Sequence, residues 1–155
     1  MSLIKVLFDT NVLAYAHNQA SSNHIPSLRL LEMVFQNKIH GIIAEQNIIE
    51  LYRLLTNQVV MKGKALRPQD AQKLIFDTYL NHHFDLLFPD PQNLEQTLVL
   101  VVSNNVSSAR IFDIRLASLA TRAKVDYLVT YNIKDFLGIA SLNCAVPEKI
   151  LEMLA

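Results

Sequence analysis

Apolar and polar positions along this chain fall into blocks whose period switches between that of a strand and that of a helix. Leu3-Ile4-Lys5-Val6-Leu7-Phe8 is a near-continuous apolar run that ends abruptly in Asp9-Thr10-Asn11. Such runs suit strands buried on both faces, as in parallel sheets covered by helices. Asn11 to His17 then reads as a short helix and the mostly polar Asn18 to His24 as a loop. Leu28, Leu31 and Val34 recur at helical spacing, predicting an amphipathic helix over Pro26 to Asn37. Ile39 to Ala44 predicts a short strand broken by Gly41. Glu45 to Asn57 predicts a helix with Ile48, Leu51, Tyr52 and Leu55 on one side.

A partly basic connection, Val59 to Arg67, leads to a helix opened by Pro68 and running to His82. Asp85 to Phe88 predicts a third strand, and Pro91 to Ser103 a helix. Ser107 and Ser108 are candidate caps for the next one, Arg110 to Lys124. Asp126 to Thr130 reads as a fourth strand, Asn132 to Leu137 as a turn of helix, Leu142 to Ala145 as a fifth strand and Pro147 to Leu154 as a last helix. Strands alternating with helices predict one domain over residues 1–155. The expected architecture is a three-layer α/β/α sandwich with a mostly parallel sheet of four to five strands. Right-handed crossovers would bring the strand carboxyl ends to one edge, where ligands gather in open α/β sheets.

Composition narrows the classes. The chain is 51% hydrophobic and 18% charged, which excludes a disordered protein. No apolar run approaches the ~20 residues of a membrane span, and no signal-peptide pattern is seen. Cys144 is the only cysteine, which forbids an internal disulfide and favours a reducing cytoplasm. Fourteen basic and fourteen acidic residues balance to zero, so no surplus of positive charge announces nucleic acid. The three glycines provide neither a dinucleotide fingerprint nor a phosphate loop. His82-His83 is adjacent rather than spaced for zinc, and no serine nucleophile elbow occurs.

Several acids interrupt otherwise apolar patterns. Asp9 would stand at the carboxyl end of the first strand. Asp113 lies one helical turn before Leu116 and Ala117, along a face suited to packing, although the first turn of a helix also welcomes an acid. Glu50 interrupts Ile48-Ile49-Glu50-Leu51 and shares a helical side with Asn47, although Arg53 offers it a surface pair. A second strand ends in Thr130-Tyr131-Asn132, with Asp135 just beyond; there, simple turn chemistry is the competing account. Two carboxylates ~4 Å apart repel by about 4 kcal/mol at an effective dielectric near 20. A group of three or four therefore needs raised pKa values or a cation. Hard oxygen ligands select magnesium or manganese, which suggests metal-dependent phosphodiester hydrolysis.

On these residues the sequence resembles the PIN-domain ribonucleases, especially the VapC-like toxins of toxin–antitoxin pairs. The carriers are Phe8-Asp9-Thr10-Asn11-Val12-Leu13, Asn47-Ile48-Ile49-Glu50-Leu51, Phe112-Asp113-Ile114 and Leu128-Val129-Thr130-Tyr131-Asn132-Ile133-Lys134-Asp135-Phe136, spread over nearly the whole chain. The resemblance implies that Asp9, Glu50 and Asp113 hold a Mg2+ or Mn2+ ion, with Asp135 as the fourth acid. Thr10, Asn11, Thr130 and Asn132 would support the site; many relatives carry Asp where this chain has Asn132. It further implies RNA cleavage leaving 5′-phosphate and 3′-hydroxyl ends, a small antitoxin partner and a homodimer. Arg110, Lys62, Lys64 and Arg67 are candidate RNA phosphate contacts, with ordinary solvation as the alternative. Two rivals stand beside this expectation: a PIN-like module that binds RNA or protein without cutting, and a phosphorylation-controlled receiver using Asp90.

Overall fold

The computed structural model describes residues 2–139 and 141–155. Five strands form a single sheet: β1 (Lys5–Phe8), β2 (His40–Ala44), β3 (Asp85–Leu87), β4 (Tyr127–Val129) and β5 (Cys144–Ala145). Their order is β3-β2-β1-β4-β5, and every pairing is parallel. Successive residues of the central strand point to opposite faces. Val6 and Phe8 enter one apolar layer with α1 (Thr10–Ala16), α2 (His24–Phe35), α3 (Glu45–Leu55), α4 (Pro68–Tyr79) and α7 (Pro147–Leu154). Leu7 enters the other layer, with α6 (Ile111–Arg122) and the partly buried inner side of α5 (Pro91–Ser103). This is the expected three-layer α/β/α sandwich.

The strand order decides where a site can form. From β1 the chain moves outward through β2 and β3, then returns to lay β4 and β5 on the other side. The reversal lies between β1 and β4, and crossovers that part there leave a crevice above their carboxyl ends. Asp9 follows β1 and Thr130 follows β4. The Asp9 N–H donates to the Val129 carbonyl at 3.0 Å, so both residues are held at that crevice.

Several local expectations are corrected. Gly41 does not break β2: Val6 pairs with it in register. A Cβ there would lie 2.7 Å from the Phe84 ring and 2.8 Å from Val34, so glycine admits a close approach rather than a bend. Helix α2 starts at His24, ahead of Pro26, because a proline in the first turn forfeits no intrahelical hydrogen bond. Ser107 and Ser108 make no side-chain cap to α6. A 3-10 turn over Ser108–Arg110 intervenes and the helix starts at Ile111. Tyr52 is exposed, and Asn47 takes the inner position expected of an apolar side chain on α3. Asp126 accepts from the Lys5 N–H at 2.7 Å, tying down the opposite edge of the sheet. Among the described residues no helix is long and apolar enough to cross a membrane.

Candidate active site

Asp9 caps the amino terminus of α1, its Oδ1 accepting from the Thr10 N–H at 2.8 Å. Its other oxygen, Oδ2, accepts the Thr130 hydroxyl at 2.8 Å and meets Asn11 Nδ2 at 3.5 Å. Thr130 Oγ1 in turn accepts from Asn11 Nδ2 at 3.3 Å and from the Asn132 N–H at 3.0 Å. The carboxylate is thereby aimed by groups from both strands flanking the crevice. Burial pushes its pKa up, the Thr130 and Thr10 hydrogen bonds pull it back, and Glu50 and Asp135 push it up again.

The remaining acids arrive from three other elements and act on one another electrostatically. Asp113, in the first turn of α6, has its pKa pushed up to about 6 by burial first and then by Asp135 and Asp9, against the pull of Arg110. Glu50, on α3, contributes to the same rise. Its Oε1 meets Gln46 Nε2 at 3.5 Å, and among the described residues no ion pair joins it to Arg53. Asp135 sits in a 3-10 turn, Ile133–Phe136, whose shape is held by the Asp135 N–H donating to the Asn132 carbonyl at 3.0 Å. Arg110 Nη2 donates to the Asp135 carbonyl at 3.1 Å, placing a guanidinium at the rim.

The donor set is entirely carboxylate oxygen. Burial first and then neighbouring carboxylates raise the pKa values of Asp9 and Asp113, with Arg110 offsetting part of the rise at Asp113, surroundings that suit a hard divalent cation. Among the described residues, however, no three His, Cys, Asp or Glu side chains stand close enough together to grip an ion by themselves. Cys144, on β5, adds no thiolate: burial pushes its pKa up to about 11.

Of the supporting residues, Thr10 is buried and reaches inward: its Oγ1 accepts from Asn47 Nδ2 at 3.0 Å. Asn47 is fully buried, and its Oδ1 accepts the Ala44 N–H at 3.0 Å, closing the start of α3. Asn47 thus joins the helix that carries Glu50 to the turn that carries Asp9. Its place three residues before Glu50, on the same helical side, was the sequence signal for this. Asn132 is exposed, and only its backbone takes part, the N–H donating to Thr130 Oγ1 and the carbonyl accepting from the Asp135 N–H.

The other cations lie elsewhere. Arg67 pairs with Asp70 at 2.9 Å at the start of α4. Lys62 and Lys64 line hollows beside the carboxyl end of α1, with Tyr15 and His17 respectively. Asp90 caps α5, accepting the Asn93 N–H at 2.9 Å, and pairs with Arg122 at 2.6 Å. It follows the edge strand β3, so the receiver reading loses its phosphoacceptor.

A parallel sheet with acids from four elements at its switch point defines a class of protein, and comparison with known families agrees. The family model described as the PIN domain matches residues 5–134, and the chain belongs to that family. It is 27% identical to Ribonuclease VapC24 of Mycobacterium tuberculosis over 128 residues, which is 83% of this chain and 86% of that one. Among solved structures, VapBC-1 from nontypeable Haemophilus influenzae matches with a TM-score of 0.64 at 14% identity, covering 94% of this chain and 99% of that chain. Mycobacterium tuberculosis VapC20, a Sarcin-Ricin loop cleaving toxin, matches with a TM-score of 0.59 at 13% identity, covering 79% and 86%. At such identities the solved structures speak to the fold alone.

Proposed function

We propose that this PIN-domain protein is a divalent-ion-dependent endoribonuclease of the VapC kind, the toxin of a toxin–antitoxin pair. The observation that supports the reading is that Asp9 and Asp113, whose pKa values burial raises first, also feel the charges of Glu50 and Asp135 from two further elements. These four would hold a Mg2+ or Mn2+ ion. Such an ion, when bound, lowers the pKa of water and stabilises charge on a phosphoryl group, giving 5′-phosphate and 3′-hydroxyl ends.

The chain's own groups prepare that site. Thr130, Asn11 and the Thr10 N–H aim Asp9 and favour its ionised form. Of the four candidate cations Arg110, at the rim, is the one beside the acids; Lys62, Lys64 and Arg67 would serve only a strand running well beyond them. The outer side of α5 leaves Leu94, Leu98, Val99 and Val102 exposed, a surface suited to a second copy in a homodimer. An antitoxin would cover the acids with complementary charge. An RNA substrate and a lone cysteine suit work in a reducing cytoplasm.

The test is cleavage of single-stranded RNA with and without Mn2+. Asp9→Asn and Asp113→Asn should each lower kcat at least ~100-fold while circular dichroism stays unchanged. Mn2+ at 100 times its Kd should raise the stability of the wild-type protein by ~2.7 kcal/mol and that of Asp9→Asn by far less. Wild-type cleavage rates in both variants, from nuclease-free preparations, would overturn the assignment.

A further inference from the structure

We propose that Tyr131 and Glu148 form a latch by which the last helix positions the Thr130–Asp135 segment of the acid site. The inference rests on the ribonuclease reading for its catalytic consequence, but its structural half stands alone. The segment leaves β4 at Val129; the Thr130 N–H still donates to the Ala145 carbonyl of β5 at 2.9 Å, and from Tyr131 to Asp135 the described residues give it no bond to a strand. Its near end, Thr130, donates to Asp9, and its far end carries Asp135.

Tyr131 lies between them and is gripped from three directions. Its N–H donates to Asn11 Oδ1 at 3.3 Å, its ring meets the Tyr15 ring edge-on at 5.4 Å, and its hydroxyl donates to Glu148 Oε1 at 3.0 Å. Glu148 belongs to the first turn of α7, which packs on α2 through the fully buried Ile150. The family match ends at residue 134, so the helix supplying this grip lies beyond it.

The grip is made at a cost that packing alone does not explain. Among the described residues Glu148 Oε2 is buried without a hydrogen-bond partner. A carboxylate withdrawn from water destabilises the fold unless its interactions compensate, and an apolar side chain would pack there without that penalty. What the carboxylate supplies, and a leucine would not, is a directional acceptor for one hydroxyl. Fixing that hydroxyl fixes the chain on which Thr130 and Asp135 sit, and residues that orient primary ligands act through such contacts.

The experiment uses the full chain without metal, by amide hydrogen exchange. Tyr131→Phe removes only the hydroxyl. It should speed exchange at Tyr131, Asn132 and Asp135 by ~10-fold or more while Val6, Leu7 and Phe8 stay at wild-type rates. Glu148→Ala should reproduce this pattern, and Glu148→Gln, which keeps an acceptor, should restore protection. In RNA cleavage, Tyr131→Phe and Glu148→Ala should lower kcat ~10-fold with KM little changed, and Glu148→Gln should recover it. Unchanged exchange across residues 131–135, or faster exchange spread equally over β1, would overturn the latch. A wild-type protein that cuts no RNA would instead sink the ribonuclease reading, while the exchange pattern still decides the latch.

Discussion

Replacing Asp113 with Asn should stabilise the metal-free protein while destroying its proposed activity. Burial and the neighbouring carboxylates push the Asp113 pKa from 3.8 up to about 6. The difference corresponds to ~3 kcal/mol of penalty on the ionised form. Asp113 keeps part of its surface in water, and screening there reduces the figure to about 1.5 kcal/mol. An acid in the first helical turn also gains ~0.5 kcal/mol from the helix dipole, which asparagine forfeits. The net gain is about 1 kcal/mol, or ~2–4 °C in melting temperature for a domain of this size.

The sign with pH follows from proton binding. Between pH 3.8 and about 6 the folded state holds more protons on Asp113 than the unfolded state, so wild-type stability falls as pH rises through that window. His17 tilts the opposite way over much of the same range, because burial lowers its pKa to about 4. The measurement is therefore the difference between variant and wild type, in which His17 cancels. Thermal melts in a chelator should show no advantage for Asp113→Asn near pH 4 and the full 2–4 °C above about pH 6.5. A variant less stable than wild type above that pH, or a gain independent of pH, would refute the electrostatic account of the site.

Two further perturbations probe the scaffold. Asn47→Ala strands the Ala44 N–H and the Thr10 hydroxyl, two groups otherwise satisfied by one buried amide. It should cost ~2–4 kcal/mol in chemical denaturation, with Glu50 and Asp9 untouched chemically; a loss under ~0.5 kcal/mol would mean the amide joins nothing. Gly41→Ala forces a methyl to within 2.7 Å of the Phe84 ring. A destabilisation of ~1–3 kcal/mol is expected in the same assay, and a neutral result would show that the ring gives way freely.

Some of this protein was written locally in its sequence. The apolar run ending in Asp9 identified the central strand, because a parallel strand covered on both faces tolerates few polar residues. Helices α5 and α7 kept their predicted limits, each opened by a proline and closed by a change of pattern. Glu50 and Asp113 stood out because an acid interrupting an apolar helical pattern conflicts with its neighbours. Gly41 and Tyr131 carried no such conflict, and Asn47 showed only that it shares a helical side with Glu50. Gly41 is explained by Phe84, Asn47 by Thr10 and Tyr131 by Glu148, all remote in the chain. Local pattern reports whether a residue will be buried, since that depends on its period along the backbone. Which partner it meets depends on how strands are ordered across the sheet, and only the folded arrangement, with its reversal between β1 and β4, determined that.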